Sequence, residues 1–597
     1  MANIYKVLKS LFSAISMAYK ASPVFTILAF IVEVPIVLIG FLLLYLSREI
    51  INHIEIGIRL NYSLPQAVNS FLPYFALTLI STISIMFLLY FKGIVNERQK
   101  LNFGSHIDKT ILEQSVKLGI DRFDNAQFYD TIATVNSNKT RINALIYRVI
   151  FFTSNFLSLV IAISIAIQSS SLIYPVLIII LCIPALFTKS IYYTKLYDYE
   201  VAERRIQRQM SYLAGITTQK SAAKEVRFYR MADFVVPKYI SLNTRYLNGF
   251  RALIYKHGMV DSFFNILPIF GVMYCLYHIV ISISAGYSNI GDFMFMLGIF
   301  SAVQNSFLSL VEDAAKAQEG DLALQAYNAY MTEQPTILDS GDEILKDANI
   351  ITFENVSFIY PLSKTTVFDN ASFTINLKQK NALVGMNGSG KSTFIKLILR
   401  FYDTNYGRIL INGKDIKSYT LGSLRDTFSV MFQNFITYSF SIRDNVSFSS
   451  YKNRNDDEEI WKAIKMTGLY ETLKNHSLDD SISKDFDDDG LELSGGQKQK
   501  LAMARCVFSK APILIMDEPD ASLDAKSERE IIDILNNSFN DKGLIFISHR
   551  LSNINKMDKI YVFGEATVIE EGTHEELMMQ KGKYYDLFIL QAEKYTV

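Results

Sequence analysis

The chain has 597 residues, too many for one hydrophobic core, so about two to four domains are expected. Its formal net charge is zero, which excludes the strong electrostatic pull expected of a protein built to hold nucleic acid or an acidic surface. Half of the residues are hydrophobic, and that excess lies before residue 315, which sets the N-terminal half apart from an ordinary soluble domain. The three cysteines, Cys182, Cys275 and Cys506, have no metal-ligand spacing and are expected as reduced thiols.

In chain order, residues 4–19 place Ile4, Val7, Leu8, Leu11, Ile15 and Tyr19 at helical spacing, with Lys6, Lys9 and Lys20 around them. That pattern suits an amphipathic helix lying on a membrane surface, the alternative being a solvent-facing helix. Six apolar spans follow, near residues 24–46, 71–91, 149–168, 172–190, 262–284 and 292–313. Most have the ~20 residues that cross a hydrocarbon core of ~30 Å as helix. Lys and Arg crowd the connections between spans two and three and between spans four and five, whereas the first opposite loop holds only Arg48 and Arg59. The positive-inside rule therefore puts both termini and both long connections in the cytosol. These connections contain few Gly or Pro and predict helical extensions of the spans. Turns are expected near Asp121–Asn125 and within Thr217–Arg227.

Glu33 sits inside the first span, two residues before Pro35. A charge at that depth costs about 2.5–3.5 kcal/mol or more, so it must face the bundle interior or water. One reading satisfies it locally, with Asn155, Asn265, Gln304 or Asn305 as partners. The other has Glu33, Gln304 and Asn305 lining a substrate cavity for cationic cargo. After Val311 the chain turns polar, which predicts a transmembrane domain over 1–314, a linker over 315–348 and a second domain over 349–597.

In the second domain, Gly385-Met386-Asn387-Gly388-Ser389-Gly390-Lys391-Ser392-Thr393 follows an apolar strand and precedes a helix. This is the phosphate-loop pattern in the context that gives it meaning. Glycines let backbone N–H groups turn inward, and the helix N-terminus adds partial positive charge. Lys391 would reach the β- and γ-phosphates of ATP or GTP, and Ser392 would offer a hydroxyl to Mg²⁺. Downstream, Pro512–Glu518 reads as a buried strand ending in two carboxylates, with Asp517 for the metal and Glu518 for the attacking water.

Between these pieces lies Leu493-Ser494-Gly495-Gly496-Gln497. On this motif and the order of its neighbours, the chain resembles the ATP-binding cassette (ABC) transporters, in particular half-size bacterial exporters of drugs and peptides. The resemblance covers nearly the whole chain. It implies an α-helical six-span domain with long cytosolic extensions, fused to an α/β nucleotide-binding domain. It also implies the remaining roles. Tyr360 resembles the aromatic that stacks on adenine, and Gln433 the glutamine that contacts Mg²⁺. Asp524 resembles the bridge between two sites, and His549 the switch histidine near the γ-phosphate. Ser494, Gly495, Gly496 and Gln497 would cap ATP held by another copy, so a homodimer is expected. The implied function is ATP-driven export by alternating access from a bacterial cell membrane, among membrane lipids and with no nucleic-acid partner. A lipid flippase, a multidrug exporter and an ATP-gated channel are the alternatives. Two departures stand out: Asp520-Ala521-Ser522 before the bridging Leu523-Asp524, and the acidic loop Asp485–Glu492 before the signature. The acidic loop resembles that of lantibiotic-type peptide exporters, and Asp487, Asp488 and Asp489 are expected either to pair with Arg122 or Lys224 or to form a solvated acidic loop.

Overall fold

The computed structural model describes residues 13–220, 222–519, 542–548, 550–551 and 554–592. Within them the chain forms two compact units: the first falls in Met1–Lys117 and Gln127–Glu333, the second in Leu118–Ala126 and Gln334–Val597.

Among its described residues the first unit is helical, with turns between the helices. Six of its helices are long and apolar enough to cross a membrane: they lie in Pro23–Arg59, Leu64–Lys117, Ala126–Ser169, Ile173–Ala202, Ala232–Ser284 and Ile290–Thr332. Leu64–Lys117 and Ala232–Ser284 have 54 and 53 residues. At 1.5 Å per residue each is ~80 Å long, far more than a ~30 Å hydrocarbon core takes up. The long connections are therefore helical, as their few Gly and Pro residues led one to expect, and Pro237 lies within the helix Ala232–Ser284. The turns carry short helices, Ile120–Phe123 in the first and Ala223–Phe228 in the second. One extension is broken: Ile173–Ala202 stops at Glu203, whose φ/ψ of −93°/10° leaves the helical range, and Arg204–Thr218 starts anew. The polar stretch from residue 315, expected as linker, is still helical as far as Thr332.

Polar pairs tie these helices where apolar packing alone gives no direction. The Asp313 carboxylate accepts from Arg148 at 3.2 Å and from Asn155 at 3.1 Å. Asp261 accepts from Thr188 at 3.1 Å and, within its own helix, from Asn265 at 2.8 Å. Arg48 donates to Asp292 at 2.6 Å. Two of the partners expected for Glu33 are thus bonded to other carboxylates. Glu33 is 3 % exposed and forms an ion pair with Lys92 at 2.6 Å, from the second span helix, whose ammonium also lies 5.2 Å from the Phe151 ring. Lys92 directly follows the second apolar span, so by sequence it falls among the charges of the long connection rather than opposite Glu33. Four methylenes let a lysine at a span end reach inward to a carboxylate, the reverse of snorkelling.

The second unit contains two sheets among its described residues. Strands β1 (Ile350–Ile359), β2 (Thr366–Asn376), β4 (Tyr406–Ile411) and β5 (Lys414–Asp415) form an antiparallel sheet in the order β2-β1-β4-β5. The other sheet comprises β3 (Lys380–Gly385), β6 (Phe428–Met431), β7 (Ile513–Asp517), β8 (Gly543–Ile547), β9 (Lys559–Gly564) and β10 (Thr567–Gly572). It runs in the order β10-β9-β3-β8-β7-β6. From β9 to β6 it is parallel, and β10 closes it antiparallel. β7 and β8 are buried along their whole length, as strands covered on both faces must be. Phe394, from the helix Lys391–Ile398, is 0 % exposed and packs its ring 5.3 Å from Phe353 and 6.0 Å from Phe563. Burying such a side chain contributes about 1.5–3 kcal/mol, and here it joins the two sheets.

Removing one member of a buried ion pair leaves the other uncompensated and costs about 3–5 kcal/mol. Lys92→Met should therefore lower the thermal unfolding midpoint of the solubilised protein, and adding Glu33→Gln should restore much of it. An unchanged midpoint in Lys92→Met would show that the pair carries no stability.

Candidate functional site

The turn after β3 builds the site. Because β3 lies between β8 and β9 and is parallel to both, its C-terminal end opens among the ends of neighbouring strands. Gly385, Gly388 and Gly390 all have positive φ, at 148°, 78° and 104°. A Cβ on Gly385 would lie 2.4 Å from the Phe563 carbonyl oxygen, and one on Gly390 would lie 3.1 Å from the Phe368 ring. No other residue type fits either place without displacing its neighbours.

A cleft of about 530 Å³ opens over this turn. Asn387, Gly388, Ser389, Gly390, Lys391, Ser392 and Thr393 line it, with Tyr360 from the region just after β1, Gln433 from just after β6 and Glu518 from just after β7. Residues far apart in sequence thus converge as the motif order implied. Val367 also lines the cleft and was missed, since a valine in a strand carries no chemical signal. Gly385 lies outside this lining and faces a neighbouring cavity with Ser548 and Leu551.

Lys391 is 5 % exposed, and its ammonium donates to the carbonyls of Gly385 at 2.9 Å and Met386 at 3.0 Å. Burial pulls its pKa below the usual lysine value, while the Glu518 and Asp517 carboxylates oppose the shift. The Gln433 amide donates to Glu518 at 2.6 Å. Glu518 has φ of +51°, an uncommon conformation for a residue with a side chain, and its N–H is held by the Ile547 carbonyl at 3.0 Å. The strained turn carries its carboxylate off the strand line and into the cleft. Asp517, one residue earlier, remains at the buried end of β7. The Tyr360 hydroxyl bonds that of Thr393 at 2.9 Å, which sets the aromatic ring at the cleft edge.

The signature residues are elsewhere. Ser494 caps the helix Gly495–Phe508, with its N–H held by Gln497 at 2.8 Å, and none of Ser494, Gly495, Gly496 or Gln497 lines the cleft. The acidic run bonds within itself: Asp487 accepts from the Asp489 N–H at 3.1 Å, and Arg122 pairs with Asp121 of its own turn at 3.9 Å. Asp524 and His549 lie outside the described residues. In the first unit, Gln304 is half-buried and Asn305 exposed on the helix Ile290–Thr332.

Comparisons with known proteins add a family match, relatives and a fold. Residues 368–521 match the ABC transporter family. The chain is 27 % identical over 540 residues to the subtilin transport ATP-binding protein SpaT of Bacillus subtilis, covering 90 % of this chain and 86 % of that protein. It is 32 % identical over 310 residues to an ATP-dependent lipid A-core flippase of Methylobacillus flagellatus, covering 52 % and 53 %. The fold matches that of a bacterial Atm1-family ABC exporter solved with ATP bound, with a TM-score of 0.79, 22 % identity, and coverage of 94 % and 98 %.

The backbone at Gly390 yields a direct test. Gly390→Ala forces a side chain into a left-handed conformation against Phe368, and should weaken ATP binding at least about tenfold, equivalent to about 1.4 kcal/mol. Titration of the purified protein with ATP would measure it, alongside an unfolding midpoint that stays close to wild type. Unaltered affinity would mean that the turn tolerates the side chain.

Proposed function

We propose that this chain, an ABC exporter by its nucleotide-binding domain, its homologues and its fold, works as one half of a homodimer that uses ATP to export a peptide. The observation that carries the reading is the cleft itself, where the phosphate loop, Tyr360, Gln433 and Glu518 converge and Gln433 bonds Glu518 at 2.6 Å. In this reading residues 1–314 form the membrane domain, 315–348 the linker and 349–597 the nucleotide-binding domain.

The Tyr360 ring stacks on adenine. Asn387, Gly388, Ser389, Gly390, Lys391, Ser392 and Thr393 cradle the phosphates, with Gly385 shaping the turn from outside the cleft and Lys391 leaving its loop carbonyls to meet the β- and γ-phosphates. Ser392, Gln433 and Asp517 offer oxygen atoms, the donor type that Mg²⁺ requires, and would hold that ion. When bound, Mg²⁺ neutralises charge on the β- and γ-phosphates. Glu518 orients and deprotonates the attacking water, with Gln433 fixing the carboxylate and His549 near the γ-phosphate. Because Ser494, Gly495, Gly496 and Gln497 lie away from the cleft of their own chain, a second copy, related by two-fold symmetry, would bring them over it. Asp524 would connect the two sites. Closure of the dimer switches access only in so far as ATP binds the closed state more tightly than the open one.

The peptide cargo is supported by an alignment to SpaT that covers 90 % of this chain. Lipid flipping and multidrug export use the same parts and are the alternatives; an ATP-gated channel needs no steady cargo-stimulated turnover. Gln304 and Asn305 line the cargo path, which Glu33 joins as an ion pair with Lys92 rather than as a lone carboxylate. The protein sits in a bacterial cell membrane with both termini and the nucleotide-binding domain in the cytosol.

Loss of a positioned general base reduces turnover by about 10²–10⁴-fold. Glu518→Gln should show that loss in phosphate release while retaining ATP affinity within a factor of a few. Turnover near the wild-type rate would overturn the assignment of Glu518, and lost ATP affinity would assign it to binding instead.

A further inference from the structure

We propose that Tyr402 is a positioning residue through which the turn Leu118–Ala126 responds to the base of the bound nucleotide, and not to its phosphates alone. The proposal rests on the reading of Tyr360 as the adenine-stacking residue. Tyr402 follows the phosphate-loop helix Lys391–Ile398 by four residues and is 4 % exposed. Its ring stands edge-on to Tyr360, with centroids 5.3 Å apart and planes at 85°, and edge-on to Phe358 at 5.7 Å. The Lys396 ammonium covers both tyrosines, 5.0 Å from the Tyr360 centroid and 5.9 Å from that of Tyr402. Away from the cleft, the Tyr402 hydroxyl donates to the Asp124 carboxylate in the turn. Burial, then the Asp124 acceptor, push the phenol pKa up, so the hydroxyl keeps the proton it donates. The turn has a second tie, since Thr336 donates to Asp121 at 2.5 Å.

The chain of contact is short. A base stacked on Tyr360 restricts that ring, the ring restricts the edge-on Tyr402, and the Tyr402 hydroxyl sets where Asp124 is held. The turn joins the helices Leu64–Lys117 and Ala126–Ser169, so a change in how firmly it is held is passed to two spans. Such coupling is reciprocal: if a base steadies the turn, loss of the Tyr402–Asp124 bond must weaken binding of a nucleotide by the same factor. Binding of inorganic triphosphate, which has no base, must be untouched.

The test uses the full chain in lipid nanodiscs with Mg²⁺ and either the analogue AMP-PNP or inorganic tripolyphosphate. Hydrogen exchange is followed in peptides covering residues 118–126. In wild type, AMP-PNP should slow exchange there by a factor on the order of five, and tripolyphosphate should not. Tyr402→Phe keeps the ring and should abolish the slowing, with AMP-PNP affinity weakened to match and tripolyphosphate affinity unchanged. Asp124→Ala should behave likewise and decides the matter if Tyr402→Phe fails to fold, whereas Asp124→Asn, which keeps an acceptor oxygen, should restore most of the effect. Equal slowing by tripolyphosphate, or slowing that survives in Tyr402→Phe, would overturn the proposal. Unaltered AMP-PNP affinity in Tyr360→Ala would instead remove the adenine reading beneath it.

Discussion

Phosphate oxygens can be gathered by backbone N–H groups only where no Cβ intervenes, and that constraint shapes the whole second unit. Gly385 and Gly390 adopt left-handed φ with backbone or an aromatic ring pressed against the missing side chain. The turn holds this shape because β3 is fixed on both sides by β8 and β9 and because Phe394 anchors the following helix between two sheets. The same parallel register brings the ends of β6 and β7 alongside. Gln433 and Glu518 therefore reach the cleft because the sheet delivers them there, and their 2.6 Å bond is a consequence of strand order.

A different constraint governs the first unit. Six apolar helices in lipid gain little by packing apolar surface on each other, since hydrocarbon outside is as good a neighbour as hydrocarbon inside. Direction comes from polar pairs: Glu33 with Lys92, Asp313 with Arg148 and Asn155, Asp261 with Thr188, Arg48 with Asp292. Most of these involve residues near the ends of spans, where the desolvation cost is smaller. Glu33 lies deeper and is balanced by a lysine long enough to follow it.

The turn Leu118–Ala126 links these two regimes by covalent continuity. It is a short segment of the helical half of the chain, yet it belongs to the compact unit of the nucleotide-binding half. Asp124 and Asp121 hold it through Tyr402 and Thr336. Two carboxylates with hydroxyl donors make bonds that have direction and can be lost singly.

Local pattern alone determined much of this protein. Span length and hydropathy implied six membrane-crossing helices, because the thickness of a bilayer sets a count of residues. Glycine spacing between a strand and a helix announced the phosphate loop, because few other needs place glycines so. The roles expected of Tyr360, Gln433 and the signature rest on a family resemblance, since a lone tyrosine or glutamine has no local signal. Tertiary structure alone decided which distant residues meet. It gave Glu33 the partner Lys92, and gave Asn155 and Asn265 to other carboxylates. It placed Val367 at the cleft and the signature residues away from it, and set Tyr402 between Tyr360 and Asp124. The physical reason is the range of the information: helix period, strand burial and glycine conformations depend on a few neighbouring residues. Side-chain partners depend on how helices rotate against each other and on the order of strands in a sheet, which no short window of sequence contains.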